Sequence, residues 1–353
     1  MTRKRTLALF LAAMMLLCLC ACRREDPPKN DPTPNPGTED DAQTPPPEEG
    51  PYSPLTGLPI GEAMLVRRPV ALMINNLKQA QTVQTGLNDA QLIFETYVEG
   101  GITRLMAVYE DISAVGQIGT VRSARYPFVD LALSLQAVYV HNGSDNVYCT
   151  PHIKDTGLLD FDMIGSLGKY AFRESNGLAY EHTLYTSGEE LSKGIAAKQW
   201  DTPLREPRKA FVSFRKEAQA ETPAEGTCAK VTVPFSRSYI TEFRYDSETG
   251  RYIRYFGDAL RQDYKTGADV TVKNVFVLQT EQRKYPDGYH VEVDLIGGSG
   301  LYISQGGYET IRWEKGEAED ALTITKADGS TFTANAGNSW ICLVDKDQPV
   351  TME

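Results

Sequence analysis

PVALMIN (69–75), AQLIFETYV (90–98), TRLMAVYE (103–110) and AVYVH (137–141) are short, nearly continuous apolar runs. Runs of this length, rich in branched and aromatic residues, read as strands buried on both faces, the pattern of a sheet covered by helices. PFVDLALSLQ (127–136) reads as one such helix. Pro127 suits a first helical position and disfavours helical geometry at Tyr126 before it, so the helix is expected to start there. Ser187, with Glu190 three residues later, opens another as a capping box. Residues 55–214 are therefore expected to form an α/β layered domain.

Beyond about residue 228 the period changes. KVTVPF, YITEFRYD, RYIRYF, DVTVKNVFVLQ, YHVEVDLI, LYIS, ETIRWE, ALTITK and SWICLV follow one another, punctuated by SETG (247–250), PDG (286–288) and ADG (327–329). These are hairpin signals, so residues 228–349 are expected to form a mostly antiparallel β-rich domain. The polar stretch 215–227 is the expected boundary, no internal repeat is visible, and the fold class is α+β.

The chain has 353 residues, 41% hydrophobic and 24% charged, with a net charge of -11. Residues 55–353 carry 30 basic and 39 acidic residues, so the folded part is itself at -9. Such a field argues against nucleic acid as a partner.

At the start, Arg3, Lys4 and Arg5 precede an apolar stretch from Leu7 to Cys22. This is shorter than the roughly 20 residues a spanning helix needs, and reads as a secretory signal over residues 1–21. The stretch ends in LCAC, which resembles the bacterial lipobox, with Cys20 as a small-residue variant. By that resemblance Cys22 is the acylated residue, and two or three acyl chains, at about 0.8 kcal/mol per buried methylene, would hold it on a membrane. Residues 23–54 hold ten of the chain's 20 prolines, eight acidic residues and three basic ones. With almost nothing apolar, this part of the 22–54 segment reads as a disordered tether reaching on the order of 100 Å. The expected location is the extracytoplasmic side of the cell membrane, lipid-anchored.

PVALMINN, TGLNDAQLIFE, VEGGITRLMA, IGTVRSAR, VHNGS and EHTLY, in that order, resemble the first domain of the YerB-like family of bacterial lipoproteins. FRYD with RYIRYFGD, NVFV and GNSWICLV resemble the family's second domain. Thr120 and Asn142 depart from the family pattern. The resemblance implies this architecture and an envelope location, and it implies no activity, because both domains are of unknown function.

Among residues able to carry chemistry, Arg122 and Arg125 lie just before Pro127. Two guanidiniums beside a helix N-terminus suit a carboxylate or phosphate. The alternative is that they pair with Asp130, Glu95 or Glu99 and brace the domain. His141 ends a strand ahead of Asn142, Gly143 and Ser144, and His182 follows Glu181. Ser144, one of these histidines and Glu181 or Asp145 permit a hydrolase arrangement, although the flanks NGSDN lack a G-x-S-x-G elbow.

His141, His152, His182 and Cys149 have no metal-ligand spacing, and the Gly pairs have no dinucleotide-binding context, so no metal and no cofactor is expected. The tyrosines and Trp313 of the β-rich part read either as a stacking face or as cross-strand packing. Cys149, Cys228 and Cys342 are expected to form no essential disulfide, with a Cys149–Cys228 pair left open.

Two functions remain. One is a lipid-anchored envelope protein binding an anionic ligand, a cell-wall component or a protein partner, through Arg122, Arg125, His141, Ser144 and His182. The other is an envelope hydrolase or transferase acting on a wall polymer. Convergence of Ser144 with a histidine would favour the second, and arginines without a nucleophile the first.

Overall fold

The computed structural model describes residues 50–353, so the signal, Cys22 and nearly all of the tether lie outside the described residues. The four apolar runs form the strands Val70–Asn75, Leu92–Tyr97, Thr103–Tyr109 and Val138–His141. The helix after Arg125 spans Tyr126–Ser134, with extended Arg125 as its cap and Pro127 in its first turn. Ser187 caps the helix Gly188–Ala197 by accepting from the Glu190 N–H. The N-terminal part is a mixed sheet with helices, and the part after it is built of largely antiparallel strands.

The main sheet crosses both parts. Its order along the described residues runs Gly226–Thr227, Gly307–Glu314, Gly297–Ser304, Asn274–Thr280, Ser339–Asp345, Leu92–Tyr97, Thr103–Tyr109, Val70–Asn75, Val138–His141, Leu159–Asp162. The strand 339–345 lies parallel to both 274–280 and 92–97, so the SWICLV run joins the two halves. Its near-complete burial explains why that run does not alternate.

A second, antiparallel sheet is built on Lys230–Ser236, Tyr239–Asp246 and Arg251–Phe256. In 230–236 every second residue is buried, the period of a strand with one covered face. The SETG turn closes the hairpin 239–246/251–256, with Gly250 at φ +65, a conformation that favours glycine. Two apolar layers cover the main sheet. Phe128 and Val129 of one helix pack on one side, and Leu191 with Val233 and Phe243 on the other.

Cys149, Cys228 and Cys342 are all free and buried, so the Cys149–Cys228 pair left open above is not formed.

Candidate functional site

Strands 70–75 and 138–141 run parallel from Val70 opposite Val138 to Leu72 opposite Val140. Beyond that point the loop following residue 119 enters between them. Val121 bridges Ile74, the Arg122 N–H donates to the Met73 carbonyl, and the Asn142 N–H donates to the Arg122 carbonyl. The carboxyl ends of two parallel strands, Asn75 and His141, thus flank one loop that carries Arg122 and Arg125. In open α/β sheets this is the place where ligands bind.

Arg125 is held by Glu99, its Nε donating to Oε1 at 2.8 Å and Oε2 at 2.7 Å. Burial alone would raise the Glu99 pKa, but the Arg125 hydrogen bonds together with the charges of Arg125 and Arg104 outweigh it and lower the value. Of the three carboxylates weighed as braces, Glu99 takes this role. Asp130 instead accepts from His152 at 2.5 Å, and Glu95 belongs to a separate buried network. Arg122 pairs with Glu181 at 2.5 Å, at the surface, where Glu181 is half exposed.

Arg104 was not among the residues singled out from sequence. It is 4% exposed on the strand 103–109, and its one hydrogen bond runs from Nη1 to the Ser123 carbonyl at 2.6 Å. Its Nε has no partner, and among the described residues no carboxylate lies within the 4.0 Å of an ion pair. Burial and the neighbouring Arg125 charge push its pKa down to about 9, against the pull of Glu99. Three guanidiniums therefore meet two carboxylates, and the buried guanidinium is the unpaired one. The available signal was an arginine in TRLMAVY, a run whose other members read as core.

The polar residues nearby each have a partner elsewhere. His141 contacts Asp160 through Nε2 at 2.6 Å and the Gly143 carbonyl through Nδ1 at 3.0 Å. His182 contacts the Asn75 amide through Nδ1 at 2.9 Å, with Glu181 3.6 Å from Nε2. Burial lowers its pKa, opposed by Glu181.

Ser144 Oγ shares a hydrogen bond with Thr150 Oγ1 at 2.6 Å, and neither histidine contacts it. Asp145 accepts the N–H groups of Val147, Tyr148 and Cys149 at the turn into the helix Cys149–Thr156, and the imidazole beside it is that of His290, 3.8 Å away, not that of His141 or His182. The nucleophile–base contact that a hydrolase needs is thus not made. Among the described residues, no group of three or more His, Cys, Asp or Glu is arranged to hold a metal ion.

The chain belongs to the family of unknown function DUF3048. The family's N-terminal domain matches residues 55–201 and its C-terminal domain residues 231–341. A relative from Bacillus subtilis (strain 168), named "Putative lipoprotein YerB", is 28% identical over 303 residues, covering 83% of this chain and 86% of the relative. The crystal structure of the YerB protein from Bacillus subtilis superposes with a TM-score of 0.73 at 26% identity, covering 85% of this chain and 99% of that one. Among the described residues, no helix is long and apolar enough to cross a membrane.

Proposed function

We propose that this protein is a lipid-anchored envelope protein, held at the outer face of the membrane through Cys22, whose strand-end crevice binds an anionic group of a ligand or partner. The single observation that carries the binding reading is Arg104, a buried guanidinium with no carboxylate partner between two arginines that have one each. An uncompensated buried cation is costly, and a bound oxyanion would offset that cost. Arg122 provides the way in, because its partner Glu181 is half exposed and a surface pair of this kind is weak enough to exchange.

The test compares wild type with Arg104→Met in melting curves with and without phosphate or sulfate. In anion-free buffer the two are expected to agree within about 1 kcal/mol, because the lost hydrogen bond and the relieved charge oppose each other. Anion is expected to stabilise the wild type alone. Equal anion shifts in both proteins, or none in either, would remove Arg104 from any site.

Anchoring rests on the lipobox resemblance at Cys22 and on the similarity to the Bacillus subtilis relative named as a putative lipoprotein. Cys22→Ser in the full chain is expected to move the protein out of the membrane fraction. Retention there after signal cleavage would end that part of the proposal.

A further inference from the structure

A cleft away from the strand-end arginines has a volume of about 700 Å³, within the usual range of small-ligand sites. Its walls come from residues 53–64, the turn at 88–91, residues 110–111, Glu217, and the β-rich part at 249–251, 273 and 336–338. Its lining includes the polar residues Asn88, Gln91, Thr249, Arg251, Lys273 and Asn338. The Asn88 and Gln91 amides each donate to a backbone carbonyl and accept from a backbone N–H, and Thr249 donates to Asp246, which leaves each amide a second N–H and a second lone pair.

Charge is unevenly satisfied along it. At one end Glu110 accepts from Arg208 at 2.7 Å and from Ser53 at 2.6 Å, and Asp111 accepts from Arg67 at 2.9 Å. At the other end both cations have neutral partners only. Arg251 donates to the Thr271 hydroxyl at 2.9 Å, the Thr271 carbonyl at 3.2 Å and Asn338 Oδ1 at 2.7 Å. Lys273 donates through Nζ to the Gly250 carbonyl at 3.1 Å. Glu217, the remaining carboxylate on the lining, is exposed and makes no ion pair with either, although its charge acts on Lys273 and opposes the lowering of the lysine pKa.

These two cations are held in place by backbone and amide acceptors and are close enough for the Arg251 charge to lower the Lys273 pKa, after burial as the larger cause. Gly337 contributes to the arrangement. A Cβ there would come within 2.6 Å of the Lys273 Cβ, so its absence lets the lysine stem lie against the backbone. In a folded part whose net charge is negative, two adjacent cations, neither of them in an ion pair, are a local excess of positive charge.

We infer that this cleft is a second binding site, independent of the strand-end crevice, for an anionic, hydroxyl-rich ligand: a sugar bearing a phosphate or carboxylate. The oxyanion sits against Arg251 and Lys273, and the hydroxyls face Asn88, Gln91 and Thr249. The Nε and Nη2 groups of Arg251 fix its position, so Nη1 and the Lys273 ammonium are the donors left for an oxyanion, and the second N–H and second lone pair of each side-chain amide suit vicinal hydroxyls.

The experiment titrates the full chain with glucose 6-phosphate, glucuronate, glucose and inorganic phosphate, reading melting temperature and calorimetric Kd. At least one of the two anionic sugars is expected to bind, and the stronger one tells phosphate from carboxylate. Glucose and inorganic phosphate are each expected to bind at least about tenfold more weakly. The double variant Arg251→Gln/Lys273→Gln is expected to lose the response. Thr249→Glu, at an exposed position, places a carboxylate beside the cations without touching the core and is expected to weaken binding about tenfold. Arg104→Met is expected to leave the response unchanged, which separates this site from the crevice. Silence toward both anionic sugars, an equal response to glucose or inorganic phosphate, survival of binding in the double variant, or its loss in Arg104→Met would each overturn the inference.

Discussion

Arg104 and Arg254 are both almost fully buried arginines with an unpaired Nε, and their surroundings differ. Arg254 donates through Nη1 to Gln84 at 3.2 Å and through Nη2 to Asn76 at 3.1 Å, and lies over the Trp340 ring at 4.6 Å. Through Asn76 it reaches Glu95, itself wholly buried. That carboxylate accepts from Asn76 at 3.0 Å, Thr103 at 2.8 Å, Thr241 at 3.0 Å and Trp340 at 3.0 Å. This network is closed, takes members from both halves of the chain, and presents nothing to solvent. Among the described residues, neither arginine has a carboxylate within ion-pair distance, but Arg104 has a single neutral acceptor where Arg254 has two and an aromatic ring. A buried cation that the fold satisfies is a brace, whereas one it leaves unsatisfied is available to something that arrives later.

Substitutions can break that contrast. The largest effect is expected at Glu95→Ala, which strands four buried donors and leaves the Arg254 charge without its counterpart. A loss of about 3–5 kcal/mol in denaturant unfolding is expected, and a loss below about 1 kcal/mol would mean that the network is not a brace. Next comes Arg125→Gln, which leaves Glu99 buried and unpaired, at about 3 kcal/mol. Arg122→Gln, the same change at a pair whose acid is half exposed, is expected to cost less than about 1 kcal/mol. Equal losses at the two positions would remove the distinction between the fixed arginine and the exchangeable one.

The smallest effect concerns pH. Burial holds His182 below its ordinary value, so the unfolded chain binds the proton first. The His182 contribution is therefore present above the unfolded value of about 6.5 and is lost as pH falls through it. Replacing His182 with Gln is expected to flatten stability between about pH 5 and 7. An unchanged pH slope would place the titration elsewhere.

The local features were legible because a few neighbouring residues settle them. Four apolar runs became four strands, a helix formed around Pro127 although it starts one residue earlier than expected, at Tyr126, and Ser187 capped another by accepting from the Glu190 N–H. Periodicity, caps and the φ preference of Gly250 each act within about one turn or one hairpin. The arginines beside Pro127 were equally readable as residues, although which carboxylate each would meet was open.

What the tertiary structure alone decided depends on contacts between distant segments. SWICLV was readable as a strand, but its insertion between 274–280 and 92–97 required the pairing of residues 247 positions apart, such as Thr96 with Leu343. The meeting of Glu95 with Thr241 and Trp340, and of Ser144 with Thr150 rather than with a histidine, was likewise a result of packing. So was the isolation of Arg104. Sequence spacing carries the propensity of each segment, whereas the presence or absence of a countercharge beside a buried group is a property of what the whole chain brings within about 4 Å of it.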